Sequence, residues 1–314
     1  ESHAASFALL VYVSAWLKRH HPAAFCCALL NAQPMGFYQP AQLVQDARRH
    51  GVTVRPVDLR YSDWDSRLEP DRADAPCVRL GLRMVKGFGR EAAERLVGAR
   101  SRRRFRDVQD LCDRAGLDRG MLNALAEAGA LRGIAGHRHR ARWASAAVQP
   151  PREDLLRGVD GRERLDDQGI AIRPPDPRDD LEADYRSTGL TLGRHPVAFV
   201  RGELRRRRVQ TAREVLALPH GRRTRACGLV TMRQRPQTAN GTMFLTLEDE
   251  TGSLNVVLWP RVWERQRAVV LGTSLLAVDG VLETDGEVHH LIADRLQDFD
   301  GMLEGLRTRS RDFC

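Results

Sequence analysis

The chain has 314 residues, of which 42% are hydrophobic and 29% charged, and it carries a formal net charge of +9. That length exceeds one ordinary compact core and predicts two to four folded domains, and the apolar content excludes a largely disordered chain. The positive charge points to a polyanionic partner, nucleic acid before others, although Lys18 and Lys86 are its only lysines, and an arginine bias of this kind also arises from a GC-rich genome.

In chain order, Phe7, Leu10, Val11, Trp16, Leu17, Phe25, Leu29 and Leu30 recur at helical spacing over residues 1 to about 32. The chain opens at Glu1 inside this pattern and reads as a fragment of a longer protein. His20-His21-Pro22 predicts a break, with Pro22 starting a second helix. Pro34, Gly36 and Pro40 predict a turn, Gln42–Arg49 a short helix closed by Gly51, and residues 52–56 a short strand. Residues 61–76, polar with two prolines, read as a boundary. Residues 78–131 read as a second helical block punctuated by glycines. Residues 146–184 hold prolines among Asp, Glu and Arg and predict a linker with little regular structure. From about 222 the period becomes that of strands: 225–230, 243–248, 254–259, 275–282 and 289–296, with a helix over 260–271. Asn240-Gly241 is a hairpin turn signal. Five strands with a helix between the third and fourth predict an OB-fold barrel.

The fold class is therefore α+β and multidomain. Residues 1–75 form one helical part, 76–145 a DNA-binding domain and 146–184 the linker. Residues 185–298 hold a connecting segment and the barrel, from about 222, and 299–314 are a tail. The apolar runs are too short and too broken to span a membrane, and no membrane contact is expected. Cys26, Cys27, Cys77, Cys112, Cys227 and Cys314 contain no CxxC pair, and their spacing predicts neither zinc nor disulfides but a reduced, cytoplasmic protein.

Val85-Lys86-Gly87-Phe88-Gly89-Arg90 carries the strongest binding signal. Two glycines permit a tight turn, and the helix after it presents free N–H groups and a positive dipole end to an anion. Helix, Gly-x-Gly hairpin and helix form a helix-hairpin-helix pattern, which grips duplex phosphates without reading sequence; an ordinary αα-hairpin is the plainer alternative. A degenerate second copy spans Ala115–Ala128, with Gly116-Leu117-Asp118 as its turn. Arg102, Arg103 and Arg104 follow the first hairpin and suit phosphates, as do His137–Arg140 and Arg205–Arg208, although such runs are often only solvated surface. In the barrel, Arg233 and Arg235 suit the phosphates of a single strand, and Phe244 and Trp259 suit its bases; both aromatics equally suit a barrel core. No P-loop, nucleophile elbow or dinucleotide fingerprint occurs, and no catalytic residue or cofactor is assigned. Asp166-Asp167 and Asp179-Asp180 lie in the linker, where solvated acidic turns are the common case.

Several motifs in series resemble a known family. Glu1-Ser-His-Ala-Ala-Ser-Phe-Ala-Leu-Leu10, Ala15-Trp-Leu-Lys18 and His21-Pro-Ala-Ala-Phe25 look like the fingers of bacterial C-family DNA polymerases. Leu80–Gly89 resembles that family's helix-hairpin-helix region, and Tyr185–Pro196 the segment leading into its OB domain. Within the family, the end at Cys314, soon after the barrel, resembles the error-prone, damage-inducible type. The resemblance implies a polymerase whose palm carboxylates and Mg2+ lie upstream, with Ser2, His3 and Lys18 near the incoming nucleotide or template. It also implies that the sliding clamp is reached only through an accessory mutagenesis protein. Gln33-Pro-Met-Gly-Phe37 has the Gln and Phe of a clamp-binding peptide, but Gly36 stands where an apolar residue is needed. The rival readings are a non-enzymatic nucleic-acid adaptor and a partner-binding module of a DNA repair complex.

Overall fold

The N-terminal apolar pattern folds as two helices, α1 (Ser2–His20) and α2 (Pro22–Asn31), with Pro22 in the first turn of the second. Only α2 turns a stripe inward, through Ala23, Cys26, Cys27 and Leu30, while Phe7, Leu10, Val11 and Trp16 of α1 stay exposed. α3 (Pro40–Arg49) starts with a capping box between Gln39 and Gln42 and stops at Gly51, whose φ of +81° closes it in the left-handed conformation. The computed structural model describes residues 2–35, 38–71, 75–149, 171–303 and 311–313. Gly36 and Phe37, Asp166 and Asp167, and Cys314 lie outside the described residues.

The segment read as a boundary is instead paired. β1 (Val54–Arg55), β2 (Arg67–Pro70) and β3 (Pro76–Arg79) make a three-stranded sheet in the order β1-β3-β2. Its polar residues serve the sheet: Glu69 accepts from Arg79 at 3.0 Å, from Arg55 at 3.1 Å and from Arg67 at 3.3 Å. Burial works against the Glu69 charge, but these guanidinium groups outweigh it and hold the carboxyl below its usual range. The polar residues of this segment thus form an ion cluster within the sheet.

Beyond the sheet come α4 (Arg90–Arg102), α5 (Val108–Ala115), α6 (Arg119–Glu127), α7 (Arg132–Ala135) and α8 (Arg138–Ala147). Their shared core holds Leu96, Leu111, Leu122, Leu125 and Leu131, each at 0% exposure, and full burial of a leucine stabilises by about 1.5–3 kcal/mol. Part of the expected linker is helical. α9 (Pro177–Ser187) opens with Asp176 as N-cap, a capping box with Asp179, and Pro177 in its first turn. The buried Arg138 guanidinium binds the carboxylates of Asp180 and Asp184. Residues 150–170 of that expected linker lie outside the described residues. Leu190 joins the same core, and the first compact unit runs Glu1–Leu192.

The second unit is Gly193–Cys314. It opens with α10 (Pro196–Arg206) and α11 (Ala212–Leu216), then β4 (Arg223–Gln234), β5 (Met243–Asp249) and β6 (Gly252–Leu258). The expected single helix is two short ones, α12 (Pro260–Arg265) and α13 (Arg267–Gly272), followed by β7 (Leu275–Asp285) and β8 (Val288–Asp298). Strand order β5-β6-β8-β7-β4, with β5 also paired to β4, closes a five-stranded barrel, as expected for the OB-fold. A further strand in the expected tail, β9 (Arg311–Phe313), runs parallel to β4. Asn240 (φ 48°) and Gly241 (φ 79°) make the β4–β5 turn left-handed, as Asn-Gly signals. Gly280 sits at a register shift of β7, where an added Cβ would meet the Ile292 carbonyl oxygen at 2.2 Å.

Candidate nucleic-acid interface

The first hairpin is tighter than its sequence suggested. The residues before it form β3 and a three-residue 3-10 turn, Leu82–Met84, in place of a helix. Gly87 has a φ of +78°, which no β-carbon would tolerate well, and lets the chain reverse into α4. Phe88 is buried and pins the turn to the core. Gly89 is the N-cap of α4 and supplies no side-chain oxygen, so the first amides of the helix have no side-chain cap. An exposed helix start of this kind attracts an anion. Arg90 is exposed and pairs with Glu94 at 2.9 Å, a screened surface contact.

Lys86 requires a correction. Its Nζ donates to the carbonyl oxygens of Tyr185 at 2.9 Å and Arg186 at 3.1 Å, and its backbone amide donates to the Ser187 carbonyl at 2.8 Å. The ammonium thus serves the C-terminal carbonyls of α9, where a cation is favoured, and is not aimed at an incoming phosphate.

The degenerate copy is the more regular hairpin. α5 ends at Gly116 (φ 60°), Leu117 is buried, and Asp118 caps α6 by accepting from the Met121 amide at 2.8 Å. That carboxylate already occupies the anion position of the second turn. Among the arginines after α4, Arg103 donates to Asp110 at 3.1 Å, while Arg102 and Arg104 are exposed and have no carboxylate partner among the described residues.

On the barrel, alternation along β5 sends Met243, Leu245 and Leu247 inward and leaves Phe244 and Thr246 on the outer face. Phe244 lies opposite Val257 of β6. Trp259, two residues further along, is 52% exposed and forms the N-cap of α12. Arg235, exposed, stacks over the Trp263 ring at 4.6 Å, and the Trp263 indole N–H donates to the Gly241 carbonyl at 2.9 Å. Arg235, Phe244 and Trp259 thus sit at one end of the outer β5–β6 face. Arg233 does not join them. It is 5% exposed, and its guanidinium donates to the carbonyls of Val270 at 2.7 Å and Thr273 at 2.6 Å, which secures the end of α13. Strand alternation turned it inward while Arg235, beyond the strand, turned out.

In α1, the His3 ring lies 4.4 Å from that of Phe7, and Ser2 starts the helix. Lys18 donates to Asp46 at 3.0 Å. Two close aspartate pairs that the sequence reading passed over, Asp63/Asp65 and Asp298/Asp300, serve structure. Asp63 holds Arg67 and Arg100, Asp65 holds Arg83, and Asp300 accepts from the Ser274 and Leu275 amides. Among the described residues no group of three or more His, Cys, Asp or Glu side chains could hold a metal ion. No described helix is long and apolar enough to cross a membrane.

A family model for the helix-hairpin-helix motif matches residues 51–141, and one for an OB-fold nucleic-acid-binding domain matches residues 225–299. The chain is 54% identical over 313 residues to an error-prone DNA polymerase of Pseudomonas fluorescens (strain Pf0-1), a match that takes in 100% of this chain and 30% of that protein. It is likewise 54% identical over 316 residues to an error-prone DNA polymerase of Alkalilimnicola ehrlichii, again across 100% of this chain and 30% of the relative. The chain thus spans about 30% of the length of these relatives and matches their C-terminal portion. A solved asparaginyl-tRNA synthetase from Pyrococcus horikoshii is similar at 21% identity and a TM-score of 0.25, over 29% of this chain and 23% of that one.

Proposed function

We propose that this chain, which belongs with the bacterial error-prone DNA polymerases through its end-to-end match to their C-terminal portion, handles the DNA on which such a polymerase works. The first hairpin holds the duplex product by its phosphates, through the amides at Gly87, Gly89 and Arg90, helped by Arg102 and Arg104. The outer face at Arg235, Phe244 and Trp259 takes single-stranded template by stacking and charge. The observation that carries this is the exposed Trp259, a large aromatic on the outer face of a barrel whose core is otherwise complete.

Around this portion, the intact polymerase performs error-prone synthesis past damaged bases in the cytoplasm. Its two-metal chemistry, with Mg2+, belongs to carboxylates outside this chain. Ser2, His3 and Lys18 belong to the fingers, near nucleotide or template, and the sliding clamp is reached through an accessory mutagenesis protein. In domain terms, residues 1 to about 50 belong to the fingers, about 51–145 to the hairpin domain, in keeping with the sheet that joins residues 54–79 and the family match over 51–141, and about 222–298 to the barrel.

The test is binding of the chain to labelled duplex, single-stranded and primer–template DNA across a salt series. The reading expects affinity for all three that falls steeply with salt, by roughly one log unit per log unit of salt for each phosphate neutralised. No binding at low salt would overturn it in favour of a partner-binding module.

A further inference from the structure

The arginines of α10, α11 and the turn between them divide into two groups. Arg201 is buried and paired with Asp249 at 2.9 Å and Glu250 at 2.5 Å, and Arg207 pairs with Glu203 at 2.7 Å. Arg205, Arg206, Arg208 and Arg213 are exposed and have no carboxylate partner within ion-pair distance among the described residues. The acidic groups nearby are already engaged. Glu248 meets His195 at 3.1 Å, and Glu214 caps α11 against the Thr211 amide and hydroxyl.

Arg208 adds an independent observation. It follows the end of α10 with a φ of 58°, and the Val209 amide behind it bonds back to the Leu204 carbonyl at 3.0 Å. That is the left-handed closing position of a helix, where glycine is favoured and a side chain costs roughly 1 kcal/mol or more. Asn240 is the other described non-glycine residue with positive φ, and asparagine tolerates it. An arginine held in strained backbone directs attention to its side chain.

The position fits a strand path. The Arg213 amide donates to Thr251 Oγ1 at 3.1 Å and the Ala212 amide to Asp249 at 2.8 Å, which fixes the start of α11, and Arg213 with it, beside the β5–β6 turn. Arg207, over the Phe299 ring at 5.1 Å, marks where the end of α10 meets the same barrel. Phe244 stands five residues up β5 from Asp249, about 17 Å at the usual rise of a strand. One OB fold engages roughly 4–16 nucleotides, enough to reach from one end of β5 to the other.

We propose that Arg205, Arg206, Arg208 and Arg213 form a second phosphate-binding surface, which takes the backbone of a single strand whose bases lie on the Phe244–Trp259 face. This rests on the reading of the barrel as a single-strand binder. The test uses the full chain, a labelled oligothymidine and a salt series, with a triple variant (Arg205→Ala, Arg206→Ala, Arg208→Gly), its lysine counterpart (Arg205→Lys, Arg206→Lys, Arg208→Lys) and Trp259→Ala. Each phosphate contact on a single strand contributes about 0.7 to the slope of log K against log salt. The Ala/Ala/Gly variant is therefore expected to have a slope shallower by about 2, and an affinity about 100-fold lower at 0.1 M salt if the lines meet at 1 M. Its Tm is not lowered, because glycine suits the backbone at 208, and the lysine variant keeps most of the slope. An unchanged slope in the Ala/Ala/Gly variant, with Trp259→Ala still weakening binding, overturns this proposal, favours a protein partner for the arginines and leaves the barrel reading standing. A lysine variant as defective as the alanine one also overturns it. Failure of the unaltered chain to bind the oligonucleotide at any salt removes both.

Discussion

Lys86 Nζ donates to the carbonyl oxygen of Tyr185 at 2.9 Å, across 99 residues of sequence. With Arg138 on Asp180 and Asp184, it fastens both ends of α9 to the hairpin domain. Lys86→Met should cost about 1 kcal/mol, the usual worth of such a cap, and should speed hydrogen exchange of the Asp184–Leu190 amides. The salt slope of duplex binding should stay within a fraction of a unit. A slope lower by a full unit with unaltered exchange would return Lys86 to the phosphates.

Gly89 separates anion binding from helix stability. No neighbour lies within 4 Å of a Cβ added there, and φ is an ordinary −84°. Gly89→Asp therefore fits and gains a side-chain cap, worth a few tenths of a kcal/mol over glycine. The same carboxylate occupies the place where a phosphate would sit. The expected outcome is a Tm equal to or above that of the unaltered chain, with weaker duplex binding at every sequence tested. Undiminished affinity would show that the first turn of α4 is not the phosphate site.

Trp259 and Trp263 lie one helical turn apart and answer to different pressures. Trp259 is 52% exposed, whereas Trp263 is buried in the barrel core and bonded to Gly241. Trp259→Ala should remove about 1–3 kcal/mol of single-strand affinity, the usual worth of a stacked base, and leave unfolding nearly unchanged. Trp263→Ala should cost about 3–5 kcal/mol of stability through the cavity it leaves. Equal single-strand affinity for Trp259→Ala and the unaltered chain would remove stacking from the reading.

The sequence revealed most where local rules and tertiary packing agree. Five alternating runs and Asn240-Gly241 marked the barrel, Gly51 and Pro22 marked helix limits, and Gly87 marked the turn into α4. It misled where a distant segment claimed a side chain. Nothing near Lys86 hints that residues 177–187 return to it, and nothing near Arg233 hints that α13 ends above it. The prolines of 174–177 read as linker text, yet Pro177 begins α9, since proline at a first helical turn and proline in a linker look alike in sequence. The exposure of Trp259 against the half-burial of Phe244 was likewise not readable, because both suit a small barrel inside or out.

Asp110 supplies the prediction in pH. Its carboxylate is buried between α4 and α5, accepting from the Arg106 amide at 3.0 Å, Arg114 at 3.1 Å and Arg103 at 3.1 Å. Burial works against the charge, but the Arg106 amide and the Arg114 guanidinium outweigh it and hold the carboxyl below its usual range. A carboxyl lowered on folding stabilises the fold at any pH above its unfolded value, and that contribution is lost as pH falls through the lowered folded value. Asp110→Asn removes the charge, leaves Arg114 without its anion and should cost about 2–3 kcal/mol at pH 7, the worth of hydrogen bonds to a charged group. Glu69, Asp176 and Glu214 are lowered as well and contribute to acid unfolding in both proteins, so the difference between them isolates Asp110. Denaturation curves from pH 7 downward should show the gap holding to about pH 4 and closing below it. A gap that persists unchanged to pH 2 would mean that Asp110 acts through shape and hydrogen bonding, with no contribution from its charge.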